Sequence, residues 1–198
     1  MSFDALHALA LRRKSDLPAL AQASGRDASA LESELAPALA DGRVLQARGL
    51  YVLTPAGAAW LQTTYPVAFA GSRADTALAE AYVAFEVVNR ELKGVITDWQ
   101  ARTLAGKSVP NDHADPAYDA WILDRLATLH ERTEPLIARM ADRVPRLARY
   151  APRLDAALSR AEAGEHEWVS SIRCDSYHTV WFEWHEDLLR LLDRKREE

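Results

Sequence analysis

The chain has 198 residues, of which 48% are hydrophobic, and a formal net charge of −5. This length allows one or two domains with a buried core, and the single cysteine excludes both an intramolecular disulfide framework and a zinc site built from several thiolates. Alanine and leucine (36 and 26 residues) far outnumber valine and isoleucine (11 and 4), which favours a mostly helical protein. The sequence shows neither a signal-peptide pattern nor a membrane span, so we expect a cytoplasmic protein with no membrane contact.

Residues 1–66 form the first predicted domain, in which short periodic segments alternate with turn signals. Three short helices come first, and Leu31, Leu35 and Leu39 share one face of the third. Two apolar runs around Arg48-Gly49 then predict a β-hairpin, and a further helix follows. Suitable cap residues precede the second, third and fourth helices: Ser15 or Asp16, Asp27, and Thr54.

This order resembles the winged helix-turn-helix of bacterial regulators, broadly of the MarR type, over residues 4–62. The segments Leu39-Ala-Asp-Gly-Arg-Val-Leu and Tyr51-Val-Leu-Thr-Pro-Ala-Gly57 carry most of the similarity. In such families the third helix lies in the DNA major groove and the hairpin contacts the backbone or minor groove. The resemblance therefore implies double-stranded DNA as partner and a homodimer that binds two half-sites. The expected DNA contacts are Arg12, Arg13, Lys14, Arg26, Ser29, Ser33, Arg43 and Arg48.

The charge of this first region leaves another interpretation open. Six basic and six acidic residues give residues 1–66 no net charge, whereas nucleic-acid binding usually shows a basic surface. The third helix exposes Ser29, Glu32 and Ser33 but no lysine or arginine, and Pro37 removes a backbone donor from it. The alternative is a winged helix that contacts protein, as an interaction or regulatory subunit of a larger enzyme system.

Residues 67–198 carry the whole charge of −5 and predict an antiparallel bundle of four long helices, which would serve dimerisation and effector binding. A nearly heptad pattern runs from Ala74 to about Leu104 and places seven apolar residues on one stripe, namely Leu78, Ala81, Phe85, Val88, Leu92, Val95 and Trp99. A loop from Gly106 to Pro116 is expected next. The remaining helices are predicted through Ile122 to Met140, from Pro145 to Gly164, and from Glu165 to Arg194.

Polar residues on the apolar stripes of this bundle suggest a ligand pocket. His178 and His185 fall seven residues apart on the fourth helix, about 10 Å along its axis, so one ion cannot bind both. Counting along antiparallel helices brings His185 level with Glu86 and Asn89. Such a group either is a satisfied polar pair that fixes helix register or binds a small-molecule effector. The candidate pocket comprises Glu86, Asn89, His178, Trp181 and His185.

Signals for metals and catalysis are weak. The loop 111–115 contains groups that bind metals, but they are also ordinary loop and cap residues, so no metal or other cofactor is predicted. Gly106-Lys107-Ser108 lacks the remainder of a phosphate-binding loop, and Cys174 on an apolar stripe is typical of an inert core thiol. We therefore predict a DNA-binding regulator rather than an enzyme. The alternatives are the protein-contact module above and a small-ligand or metal-binding helical bundle.

Overall fold

The computed structural model describes residues 3–104 and 106–196. The protein is mostly helical and also contains two small antiparallel sheets. It divides into two compact units: the N-terminal unit contains the described residues up to Ala74 together with those from His185 onward, and the helical unit is Asp75–Trp184. This grouping differs from the predicted domains 1–66 and 67–198, because the residues from His185 onward belong to the same unit as those up to Ala74. Within the described ranges, no helix combines the length and the apolar character needed to cross a lipid bilayer.

The elements of the N-terminal unit follow the predicted order of helices and hairpin, with one strand added. Asp16, Asp27 and Thr54 cap the second, third and fourth helices through their side chains, as the sequence predicts. The elements are α1 (Phe3–Arg12), β1 (Lys14–Ser15), α2 (Leu17–Ser24), α3 (Ala28–Ala40), β2 (Val44–Ala47), β3 (Leu50–Leu53), α4 (Pro55–Ala68) and α5 (Ala70–Arg73).

The three strands form an antiparallel sheet in the order β1-β3-β2. Strands β2 and β3 pair from Val44 opposite Leu53 to Ala47 opposite Leu50, which confirms the predicted hairpin. Arg48 and Gly49 form its two-residue turn with φ angles of 52° and 78°, values that a type I′ turn requires. Strand β1 has only two residues and was not predicted.

The core of the N-terminal unit is built from leucines and closed by a buried polar pair. Leu31 and Leu35 of α3 are fully buried, which confirms two of the three positions predicted for its inner face. The His7 Nε2 of α1 lies 2.9 Å from the Asp187 Oδ1, and the two side chains are 1% and 0% exposed. The contact explains why residues from the end of the chain belong to this unit.

The helical unit begins with two long antiparallel helices, α6 (Thr76–Gln100) and α7 (Pro116–Ala141). All seven residues of the predicted apolar stripe on α6 are buried. Four ion pairs connect the two helices or the residues at their ends, and the residue number falls along α6 as it rises along α7, which shows the antiparallel orientation: Asp98–Arg125, Glu91–Arg132, Glu80–Arg139 and Asp75–Arg143.

The rest of this unit departs from the predicted four-helix pattern. The predicted extension of the first helix to Leu104 and the predicted loop after it are wrong in part, because residues 101–104 and 107–110 form two paired antiparallel strands. The predicted fourth helix is interrupted at residues 171–176, where Ser171 is extended and Ser176 caps the next helix. The remaining elements are β4 (Ala101–Leu104), β5 (Lys107–Pro110), a 3-10 helix (Pro145–Arg149), α8 (Tyr150–Glu162), α9 (Glu167–Ser170) and α10 (Tyr177–Leu192).

The interruption changes the surroundings of two residues that the sequence analysis assigned to the fourth helix. Cys174 lies in the turn before α10 rather than on its apolar stripe, and burial raises the pKa of its thiol. Asp175 also precedes α10, where it accepts hydrogen bonds from Arg153 at 3.0 and 3.2 Å. Arg153 additionally donates to the buried carboxylate of Glu183. Burial opposes the charge on this guanidinium, but its two acidic partners outweigh burial and raise its pKa.

Candidate functional site

The first candidate site is the outer face of α3, which the resemblance assigns to DNA. Asp27 caps this helix and accepts hydrogen bonds from the Ser29 hydroxyl and from two backbone N–H groups, which lower the pKa of its carboxyl group. Ser29, Glu32 and Ser33 are exposed, as predicted. The Ser33 hydroxyl donates to the Ser29 carbonyl, so both serine hydroxyls already have partners in the helix or at its cap.

Two of the predicted phosphate contacts are engaged by nearby carboxylates. Arg26 donates a hydrogen bond to Glu34 of α3. Arg43 pairs with Asp41, and its guanidinium lies 4.9 Å from the centre of the Trp60 ring. The hydrogen bond from Arg43 lowers the pKa of Asp41. Because these guanidinium groups are paired, their attraction for a phosphate is reduced.

Three other predicted contacts are exposed cations on the three-stranded sheet. Arg13 and Lys14 lie where α1 passes into β1, and Lys14 pairs with Val52 of β3. Arg48 occupies the turn between β2 and β3. Val52, which lies opposite Lys14, is four residues from Arg48. Because a strand rises about 3.3 Å per residue, Lys14 and Arg48 are separated by at most roughly 13 Å along the strand direction. Arg12 is half-buried. The positive charge of this surface therefore lies on the sheet rather than on α3.

The second candidate site is the predicted ligand pocket of the bundle. The Trp181 indole Nε1 donates to the Asn89 Oδ1 at 3.0 Å, and the Asn89 amide donates to Glu86 at 3.1 Å. Glu86 also accepts a hydrogen bond from the Tyr82 hydroxyl at 2.6 Å. Asn89 and Trp181 are 4% and 2% exposed, so the structure places this chain of hydrogen bonds inside the helical unit.

The two histidines of the predicted pocket lie in different units. His178 is half-buried near the start of α10, in the helical unit. His185 is buried and belongs to the N-terminal unit, where its Nδ1 lies 3.4 Å from a guanidinium nitrogen of Arg196. The predicted contact of His185 with Glu86 or Asn89 stays a prediction.

A third group of side chains was missed by the sequence analysis. His113, Asp119 and His166 each offer a potential metal-ligand atom, and these atoms all lie within 4.8 Å of one another. His113 and Asp119 lie six residues apart, in and just after the loop that the sequence marked as compatible with metals. His166 is distant in sequence and carries no periodic signal, so only the fold brings it to this place.

Comparison of the chain with protein-family models, with curated proteins and with solved structures finds no match. No family is therefore assigned, and the function has to be argued from the residues and the geometry described above.

Proposed function

We propose that this chain is a DNA-binding transcriptional regulator that acts as a homodimer, with the helical unit serving dimerisation and effector binding. The observation that carries the proposal is the arrangement of the N-terminal unit. Its elements follow the order α1-β1-α2-α3-β2-β3-α4, and β1, β3 and β2 form one antiparallel sheet whose hairpin exposes Arg48. A winged helix has this order and uses the third helix and the hairpin on DNA.

The distribution of charge determines how such binding would behave. The N-terminal unit contains eleven basic and eleven acidic residues, so it has no net attraction for DNA as a whole. Arg13, Lys14 and Arg48 are the exposed cations on its sheet, and a dimer would present six of them. About six phosphate contacts make the affinity fall roughly 10³-fold between 50 and 200 mM salt. We therefore expect weak, strongly salt-dependent binding.

The test begins with selection of DNA duplexes from a random pool by the full chain at low salt. The affinity of the selected duplexes, carrying a fluorescent label, is then measured by fluorescence anisotropy. Arg48→Ala should weaken binding to every duplex and reduce the salt slope by about one unit per protomer. Arg26→Ala should have a smaller effect, because Glu34 already neutralises that charge. Lys93→Ala, which removes an exposed charge from α6, is the matched control. Absence of binding at low salt, or equal losses in the Arg48 and Lys93 variants, would refute the proposal.

A second function, contact with a protein partner, is favoured by the character of the same surface. The exposed face of α3 carries no lysine or arginine, and Leu45 of the neighbouring strand β2 is 57% exposed. A helix face without cations beside an exposed leucine suits a protein partner better than a phosphate backbone. If this reading holds, an enzyme co-purifies in stoichiometric amount and Leu45→Glu abolishes the complex. Under the first proposal Leu45→Glu lowers DNA affinity without removing any such partner.

A further inference from the structure

We propose that His113, Asp119 and His166 bind one divalent transition-metal ion, with Zn²⁺ as the preferred ion. The starting observation is that a ligand atom from each of these side chains lies within 4.8 Å of the others. The His113 Nδ1 and the Asp119 Oδ2 are already in contact at 3.0 Å. Ligands at the usual zinc distances stand about 3.3 Å apart in a tetrahedron. His113 and Asp119 are therefore already near this spacing, and only a small further approach of His166 is needed to close the group around an ion.

The chemistry of the three groups selects the class of ion. Two imidazoles and one carboxylate suit zinc and its neighbours in the first transition row, whereas Mg²⁺ and Ca²⁺ prefer sites made only of oxygen atoms. Three protein ligands leave at least one coordination position for water or for a small anion. His166 is exposed and Asp119 is buried, so solvent reaches this group of side chains at His166.

The carboxylate of this group is held by a buried amide. The Asn111 Nδ2 donates to the Asp119 Oδ1 at 2.9 Å, and the same nitrogen lies 3.1 Å from the Trp99 carbonyl at the end of α6. The Asn111 backbone N–H donates to the Gln100 carbonyl at 2.9 Å. Asn111 and Asp119 are 8% and 3% exposed. Outer partners of this kind orient metal ligands and usually affect metal affinity.

The two imidazoles pack against one aromatic ring. The centre of the Trp99 ring lies 4.5 Å from that of His113 and 5.4 Å from that of His166, and the two imidazole centres are 5.2 Å apart. His113 has a φ of 58°, an unusual backbone conformation for a residue other than glycine. The loop therefore holds His113 beside Asp119 and His166 at some cost in conformational energy. An ion would tie together the loop before α7, the first turn of α7 and the segment before α9.

The test is calorimetric titration of the chelator-treated full-length chain with ZnCl₂, with MgCl₂ as the comparison ion. One equivalent of Zn²⁺ should bind with a dissociation constant below about 10 µM, and Mg²⁺ at least about 100-fold more weakly. Co²⁺ provides a second readout, because the intensity of its visible absorption bands reports the coordination number and geometry of the bound ion.

Three variants distinguish Zn²⁺ binding at this site from non-specific binding by other histidines. His166→Ala, an exposed change that should leave the circular dichroism spectrum intact, and Asp119→Asn should each weaken Zn²⁺ binding by about 100-fold or more. Asp112→Asn removes an exposed negative charge from the same loop and should leave the affinity unchanged. Absence of saturable Zn²⁺ binding by the wild type, or equal affinity in wild type and His166→Ala, would overturn the proposal. No DNA is present in these titrations, so their outcome is independent of the function proposed above.

Discussion

The buried contact between His7 and Asp187 gives a prediction about stability that can be worked out from the structure. Asp187→Ala removes the acceptor that lies 2.9 Å from the His7 Nε2, in a place that water does not reach. A hydrogen bond to a charged group contributes about 1.5–3 kcal/mol, and removing one member of a buried pair costs about 3–5 kcal/mol. We expect the free energy of unfolding of the N-terminal unit to fall by about 3–5 kcal/mol.

The assay is a double-mutant cycle in urea, followed by circular dichroism and by the total tryptophan fluorescence, to which Trp60 contributes from this unit. The loss in the double variant of His7→Ala and Asp187→Ala should be smaller than the sum of the single losses by about 1.5–3 kcal/mol. Lys195→Ala, an exposed change in the same C-terminal segment, should stay within about 0.5 kcal/mol of the wild type. Additive losses, or a loss below about 1 kcal/mol in Asp187→Ala, would refute the reasoning.

Three further predictions concern two glycines and the single cysteine. Gly57→Ala should destabilise the N-terminal unit by more than about 3 kcal/mol, because the new Cβ would stand 2.1 Å from the Arg43 carbonyl oxygen. Gly94→Ala should stabilise α6 by about 0.5–1 kcal/mol, because nothing lies within 4 Å of the Cβ that the alanine would add. Thermal unfolding of both glycine variants is compared with that of the wild type. Cys174 should react with iodoacetamide more slowly than free cysteine at about pH 8, because burial and then Glu167 raise its pKa and reduce the thiolate fraction. Glu167→Gln should speed the alkylation, and a wild-type rate equal to that of free cysteine would contradict the prediction.

The parts of the fold that the sequence predicts correctly depend on local or periodic signals. The heptad on α6, the caps at Asp27 and Thr54 and the turn at Arg48-Gly49 each need only neighbouring residues to be recognised. The break before α10 combines a local signal with distant ones. Ser176 caps the helix through Thr179, which the sequence analysis missed. The contact of Asp175 with Arg153 is distant in sequence, and a local pattern cannot contain it.

The candidate sites show the same division between local and distant information. The exposed residues of α3 follow from its periodicity, but the pairing of Arg26 with Glu34 and of Arg43 with Asp41 depends on side-chain geometry. Periodicity therefore overestimates the positive charge available to DNA. Periodicity also misses the proximity of His166 to His113. The two residues come together only when α9 packs beside α6 in the folded unit.

The division of α10 between the two units affects the order in which the chain can fold during synthesis. Residues 185–196 complete the N-terminal unit, yet the ribosome makes them only after residues 75–184. At usual rates of synthesis, those intervening residues take roughly 6–22 s. During this interval His7 has no Asp187, and the surface that later receives the end of α10 is open to chaperones and proteases. The helical unit has no comparable delay, because its residues are contiguous, so we expect it to fold first.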